Sequence, residues 1–297
     1  MNDSIWRGVL PAITTPFGVD GGVDHAFLAR HAAHLVEYRC AGVIALGSLG
    51  EGATLTADEK RAVLSTLVRA VGARVPVVAA VSALSTPEAV ALAREAASLG
   101  CRGLMVLPPY VYTSDWREMK AHVAAVIAAT PLSCMLYNNP IAYRTDFVPA
   151  QIAELASEHA NLRAVKESSG DARRITAIRA LVGDRLDVLV GMDDCVVEGV
   201  AAGAVGWVAG LANALPDESV TLFRHAMACD RDRTEALYRW FLPLLRLDTV
   251  PKFVQLIKLV QAEVGLGSAR VRPPRLELIG DELAAAQAII RQALAAR

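Results

Sequence analysis

Residues 162–171 read LRAVKESSGD. Leu162, Ala164 and Val165 form the apolar lead-in to a buried strand. Lys166 arrives at its mouth, and Glu167-Ser168-Ser169-Gly170 ends it. An ammonium taken out of water at the end of a buried strand is costly unless it is paired, exposed or used. As a used group it is a nucleophile. A neutral lysine amine adds to a ketone or imine carbon and gives an imine that draws electrons from the neighbouring carbon. Attack needs the free amine, and at an ordinary pKa of ~10.4 only about one lysine in a few thousand is neutral at pH 7. Burial disfavours the ammonium and raises that fraction. As a paired group, Lys166 would instead be half of a structural ion pair with a nearby carboxylate such as Glu167. The sequence leaves both readings open.

Three further stretches carry groups suited to such chemistry. Tyr137 opens YNNP, where its hydroxyl is either a proton shuttle at the substrate oxygen or a core phenol bonded to a carbonyl. The turn GSLGE, residues 47–51, offers the Ser48 hydroxyl and backbone N–H groups freed by Gly47 and Gly50. Such a turn holds a carboxylate, or is simply a tight strand-to-helix connection. Tyr110 follows another apolar run. Asp193-Asp194 reads as the cap of a following helix rather than a metal or acid–base pair. His31 and His34 lie one helical turn apart with no third ligand nearby, and read as helix-face residues. RVRPPR, residues 270–275, reads as a short solvated loop.

These groups need a scaffold that brings distant positions to one place. Short apolar runs begin at Gly8, Gly42, Val75, Gly103, Ser133, Leu162, Asp187 and Ala204, and amphipathic stretches separate them. Phe27, Leu28, Leu35 and Val36 share a helical face. Thr56 and Glu59 form a capping box, and Thr86-Pro87-Glu88 reads as cap, first-turn proline and favourable charge. Strands apolar on both faces, alternating with helices, make a parallel sheet covered by helices. A count of eight predicts a closed (β/α)8 TIM barrel with a C-terminal helical extension. No G-x-G-x-x-G opens a helix after the first strand, which sets aside a dinucleotide-binding sheet. The catalytic barrel spans 1–215, through strand eight. Residues 216–297 supply the last barrel helix and the extension as part of one structural unit, with the extra helices outside the barrel. In this fold Ser48, Tyr110, Tyr137 and Lys166 converge on the mouth formed by the C-terminal strand ends.

Composition narrows the partners. Of 297 residues 54% are hydrophobic and 21% charged, the net charge is −1, and there is no Lys/Arg run. A large core follows, and nucleic acid and anionic membranes are disfavoured as partners. No apolar run is long enough to span a bilayer, and the N-terminal stretch lacks the pattern of a secretory leader. Five scattered cysteines with no C-x-x-C fit reduced thiols, hence a cytoplasmic location, and no zinc site.

The chain resembles the dihydrodipicolinate synthase and N-acetylneuraminate lyase superfamily over essentially its whole length. The resemblance rests on TTPF at Thr14, GSLGE at Gly47, YNNP at Tyr137 and VKESSGD at Val165, in that order. It implies a usually homotetrameric (β/α)8 barrel, a Schiff base on Lys166 and acid–base work by Tyr137. It also implies a carboxylate held at Gly47, Ser48, Leu49 and Gly50, with Val208 of the last strand beside the substrate. Tyr110 matches the family tyrosine that enters a neighbouring subunit's site, and it stands with Ser48 among the catalytic positions. Neither metal nor organic cofactor is implied, and the only small-molecule partner is a 2-keto or 2-imino acid.

Two departures bear on the substrate. Synthases of lysine biosynthesis usually carry a threonine where this chain has Leu49, and leucine cannot relay a proton. They place an arginine two residues after the proline of Y-N-x-P, where this chain has Ala142, with Arg144 further on. The combination of motifs is most similar to 1-pyrroline-4-hydroxy-2-carboxylate deaminases of hydroxyproline breakdown. The alternatives are a 2-keto-3-deoxy sugar-acid aldolase or dehydratase, a 4-hydroxy-tetrahydrodipicolinate synthase, and a non-catalytic keto-acid-binding pseudoenzyme. Retention of Lys166, Tyr137 and the glycine turn together opposes the last.

Overall fold

A computed structural model describes residues 4–110, 112 and 114–297. Residues 1–3, part of the N-terminal stretch read for a leader, lie outside them. The expected eight strands are present: β1 (Gly8–Pro11), β2 (Val43–Ala45), β3 (Val77–Val81), β4 (Gly103–Val106), β5 (Ser133–Asn138), β6 (Leu162–Glu167), β7 (Asp187–Val190) and β8 (Gly206–Ala209). All neighbours are parallel, in the order β1-β8-β7-β6-β5-β4-β3-β2. The seam between β1 and β2 is closed by the Ile13 N–H donating to the Ile44 carbonyl at 2.9 Å and Ala41 N–H to Val9 at 2.8 Å. The result is a (β/α)8 barrel.

Nearly every strand residue is buried, β3 over its full length Val77–Val81. Valine, isoleucine and leucine are stiff or compact enough to fill a sheet packed on both faces. Trp6 closes the base of the barrel, its indole N–H donating to the Ser133 hydroxyl at 2.7 Å. A Cβ on Gly103, the first residue of β4, would stand 2.8 Å from that ring. Glycine there lets the tryptophan seat, and it leaves the opposite end of the barrel for chemistry.

The helices are α1 (His25–Glu37), α2 (Ala57–Val71), α3 (Thr86–Ser98), α4 (Trp116–Ala128), α5 (Pro140–Tyr143), α6 (Pro149–Glu158), α7 (Arg173–Val182), α8 (Val196–Ala201), α9 (Pro216–Met227), α10 (Arg231–Leu245), α11 (Phe253–Glu263) and α12 (Gly280–Ala295). The Thr56/Glu59 capping box opens α2 as expected. At α3 the cap is Ser85, one residue earlier than the sequence reading, and Thr86 is already helical. The extension departs further from expectation. Every residue of α11 from Val254 to Gln261 is buried, so this helix is enclosed rather than laid on the outside. It packs near the short turns Leu211–Asn213 and Arg246–Asp248, which brings the extension over the barrel mouth. No helix of the described residues is long and apolar enough to cross a membrane.

Candidate active site

A cavity of about 460 Å³ opens at the C-terminal ends of the strands. Its floor is built by β5 and β6. Tyr137 and Lys166 are register partners on these neighbouring strands, and both line the cavity. Strand alternation sends the next pair, Asn138 and Glu167, to the other face, where the Asn138 amide donates to the Glu167 carboxylate at 3.1 Å. Glu167 also accepts the Ser169 N–H at 2.7 Å and lies 3.9 Å from the Arg174 guanidinium. Glu167 is therefore not the partner of Lys166, and that structural ion pair is removed as an explanation of the lysine.

Lys166 is instead a buried amine in a cavity. Burial pulls it down to about 8, partly offset by the Asp248 and Asp193 carboxyls. The neutral amine that attack needs is thereby favoured over its ordinary fraction. Its Nζ lies 4.1 Å from the centroid of the Tyr137 ring, over the ring face. A Cβ on Gly191, just past β7, would meet the Lys166 Cε at 2.6 Å, so glycine is what gives the lysine stem its room. Burial pushes the Tyr137 phenol up to about 12, and its oxygen accepts a hydrogen bond from the Asn139 amide at 3.0 Å.

The Gly47–Leu49 segment forms a second wall, and Val208 of β8 joins it across the mouth. Gly47, Ser48, Leu49 and Val208 thus sit at one cavity with Lys166 and Tyr137. Ser48 lies in the turn beyond β2 rather than at its end, and its hydroxyl is hydrogen-bonded to that of Tyr143. Two expected site positions fall elsewhere. Gly50 is off the cavity wall. A Cβ there would stand 2.9 Å from the Ile13 carbonyl, so the glycine serves close approach of the backbones. Tyr110 is also off the wall, accepting from the Ser82 hydroxyl at 3.1 Å and packing on the Tyr143 ring at 5.8 Å. Tyr143, on which it packs, lines the wall of this chain's own cavity. The sequence clue was a tyrosine in a one-turn helix directly after YNNP.

The third wall comes from the extension and was not foreseen. Asp248, Thr249, Phe253 and Arg275 line the cavity, while Ala142 faces it from α5. Arg144 is exposed and turned away in a left-handed cap, so it does not replace the arginine missing at Ala142. The RVRPPR segment is no solvated loop. Its Arg272 guanidinium bonds Glu59 at 2.8 Å and the Gly21 carbonyl at 2.6 Å, and its Arg275 reaches the cavity.

The acidic pair after β7 also differs from its reading as a helix cap. Asp193 is fully buried and accepts from the Trp207 indole at 2.9 Å, the Gly210 N–H at 3.1 Å and the Leu211 N–H at 2.7 Å. The short turn Asp193–Cys195 aims the carboxylate at β8 instead of back at its own helix. Burial pushes Asp193 up to about 6. Burial and the Asp193 charge together push Asp248 well above the usual carboxylate range. His31 lies on the buried face of α1, bonded to Asn213 at 3.2 Å, and is held by burial down at about 4. Among the described residues no three His, Cys, Asp or Glu side chains are grouped to hold a metal ion.

Comparison with known proteins gives one consistent answer. The model of the dihydrodipicolinate synthetase family matches residues 6–293. A 4-hydroxy-tetrahydrodipicolinate synthase of Moorella thermoacetica is 33% identical over 275 residues, 93% of each chain. One of Pelobacter propionicus is 30% identical over 277 residues, covering 93% of this chain and 94% of its own. Among solved structures, a putative dihydrodipicolinate synthetase from Pseudomonas aeruginosa superposes with a TM-score of 0.91 at 31% identity. That match covers 97% of this chain and 99% of the other.

Proposed function

The chain belongs to the dihydrodipicolinate synthetase family, whose members work through a covalent lysine–pyruvate imine with no external cofactor, and from that premise we propose that it is a lyase acting through Lys166 on a small 2-imino or 2-keto acid. The substrate we propose is 1-pyrroline-4-hydroxy-2-carboxylate, which the enzyme dehydrates and deaminates to 2-oxoglutarate semialdehyde.

Each step has a group to serve it. The neutral fraction of Lys166 attacks C2 of the pyrroline, and the ring C2–N bond breaks to leave an open-chain imine on the lysine. The Tyr137 phenol, held by Asn139, gives its proton to the departing C4 hydroxyl, which leaves as water, and takes the C3 proton in exchange as the enamine forms and collapses. Tautomerisation places the remaining amine on an enamine carbon. Hydrolysis then releases ammonia and frees the lysine. The Gly47–Leu49 turn holds the single carboxylate through its N–H groups.

The observation that carries this substrate is the pair Leu49 and Ala142 on the cavity wall. A leucine side chain there packs against a carbon frame and relays no proton, and alanine clamps no carboxylate. A second reading, 4-hydroxy-tetrahydrodipicolinate synthase, is favoured by the names of the relatives and by Arg275, a guanidinium that faces the cavity from the extension. One experiment separates the two. Ammonia release from the pyrroline and condensation of pyruvate with aspartate semialdehyde are measured side by side, with borohydride trapping and mass spectrometry to locate the imine. We expect ammonia, little condensation, and an adduct on Lys166 that Lys166→Ala abolishes. Efficient condensation without ammonia would select the second reading, and an adduct on another residue would overturn both.

A further inference from the structure

The buried carboxyl of Asp248 has no place in the chemistry described so far. It lies at the end of the short turn Arg246–Asp248, in the extension, yet it lines the same cavity as Lys166. Its Oδ1 is buried and has no hydrogen-bond partner among the described residues. Gly210, just past β8, is what admits it: a Cβ on that glycine would stand 2.1 Å from Oδ1. No salt bridge joins Asp248 to Lys166 among the described residues, so the two groups face the cavity without closing on each other.

We propose that Asp248 is a second catalytic acid, giving its proton to the group that leaves C2 as the Lys166 imine forms. The inference rests on Lys166 being the imine-forming lysine and is independent of which keto or imino acid is bound. Three observations carry it.

The first is the division of labour on the floor. The Tyr137 ring face lies 4.1 Å from the Lys166 Nζ, and Asn139 holds its hydroxyl. Asp248 reaches the same cavity from the extension, so it can serve C2 from a wall other than the one that carries that phenol. The second is the contrast between the two buried carboxyls. Asp193 takes three N–H donors, and these favour its charged form. Asp248 takes none on Oδ1, and the nearby Asp193 charge disfavours a second one there. The proton therefore resides on Asp248.

The third is charge balance. The amine of Lys166 forms a bond to C2 of an oxo acid, and the carbonyl oxygen takes the proton released from that nitrogen. The C2–O bond then breaks, the oxygen takes the Asp248 proton and leaves as water, and the nitrogen lone pair completes the C=N bond. Neutral amine plus carboxylic acid become iminium plus carboxylate. The positive charge created in a buried site is matched by a negative charge created beside it. With a cyclic imine the leaving group is the ring nitrogen, and the balance is the same.

The test uses pyruvate, timed borohydride quenching and mass spectrometry on the full chain. We expect Asp248→Asn, folded by circular dichroism, to form the Lys166 adduct about 10²–10⁴-fold more slowly, the range for a lost positioned acid. Asp248→Glu should recover part of the rate, a result that lost packing alone does not give. An Asn variant that forms the adduct as fast as wild type overturns this inference and leaves the Lys166 reading intact. A wild type that forms no adduct overturns both. Should the Asn variant fail to fold, infrared difference spectra of the wild type decide. Loss of a protonated-carboxyl band on adding pyruvate supports the inference, and an unchanged band overturns it.

Discussion

Glu51 ends the GSLGE turn and is the member of that motif whose removal should be felt most. It stands in a left-handed backbone conformation, φ 53°, with a side chain only 1% exposed. One carboxylate oxygen takes the Lys258 ammonium of α11, and the other takes the Arg272 N–H at 3.0 Å. Lys258 also donates to the Arg270 carbonyl at 2.8 Å. Glu51 thus ties the turn below the cavity to the extension above it. Glu51→Gln keeps the volume and removes the charge. The amide oxygen can meet only one of the two donors, so its N–H2 faces either the ammonium or the Arg272 N–H, and the ammonium, 2% exposed, loses its counter-charge in both cases. A buried charge stripped of its partner costs about 3–5 kcal/mol. Adding Lys258→Met keeps the side-chain stem and removes that charge. Only the Arg270 carbonyl is then short of a donor, at about 1–3 kcal/mol. The double variant should therefore be more stable than Glu51→Gln by about 2 kcal/mol, from the difference of those ranges. Urea unfolding at pH 7, followed by far-UV circular dichroism and extrapolated to water, measures each corner of the cycle. A Glu51→Gln protein within 1 kcal/mol of wild type, or a double variant that costs the sum of the singles, would refute the reasoning.

Other outcomes follow from the same geometry. Tyr137→Phe keeps the ring under Lys166 and removes the hydroxyl, so kcat should fall by ~10²–10⁴ while borohydride still traps an adduct; near-normal turnover would dismiss the shuttle. Leu49→Thr exchanges an apolar wall for a hydroxyl and gives up part of the ~1.5–3 kcal/mol that burying a leucine provides. It should raise KM for the pyrroline without creating an efficient synthase, and a large gain in condensation would count against the substrate assignment. His31 is held neutral down to about 4 against an ordinary 6.5. Between those values the unfolded chain binds a proton that the folded chain refuses. Stability is therefore full above the upper value and falls as pH drops toward the lower, by on the order of 3 kcal/mol. His31→Gln should flatten that acid limb in urea titrations at successive pH values, and an unchanged limb would show that another group sets it.

The parts of the site that could be read from sequence are those set by strand periodicity. Lys166 and Tyr137 sit at the ends of apolar runs, and alternation along β5 and β6 decides which face each takes. The same alternation argues against pairing Glu167 with its neighbour Lys166, since adjacent strand residues point apart. Asp248 and Arg275 were illegible for a different reason. Neither lies in a strand or a recognisable turn motif, and their arrival at the cavity depends on how α11 folds back over the mouth. Asp193 was misread because an acidic residue after a strand is more often a cap, and only the short turn it occupies redirects it inward. Arg272 was misread because charges on a short proline-rich stretch are more often solvated, and its partner Glu59 lies 213 positions away in the chain.

The enclosure of α11 has a consequence for how such a protein changes over time. The lysine and tyrosine belong to the barrel, whereas one wall of the cavity, with Asp248, Thr249, Phe253 and Arg275, is contributed by a stretch after residue 245. That wall is thereby encoded in a separate length of the gene. A crossover or a cluster of substitutions confined to the later length could reshape it while Lys166, Tyr137 and Leu49 stay untouched. The Glu51–Lys258 link limits that freedom, because a transplanted later segment must bring a cation to meet the turn or arrive with the turn it grew up with. An engineer exchanging this segment between relatives would do well to move residues 47–51 along with it.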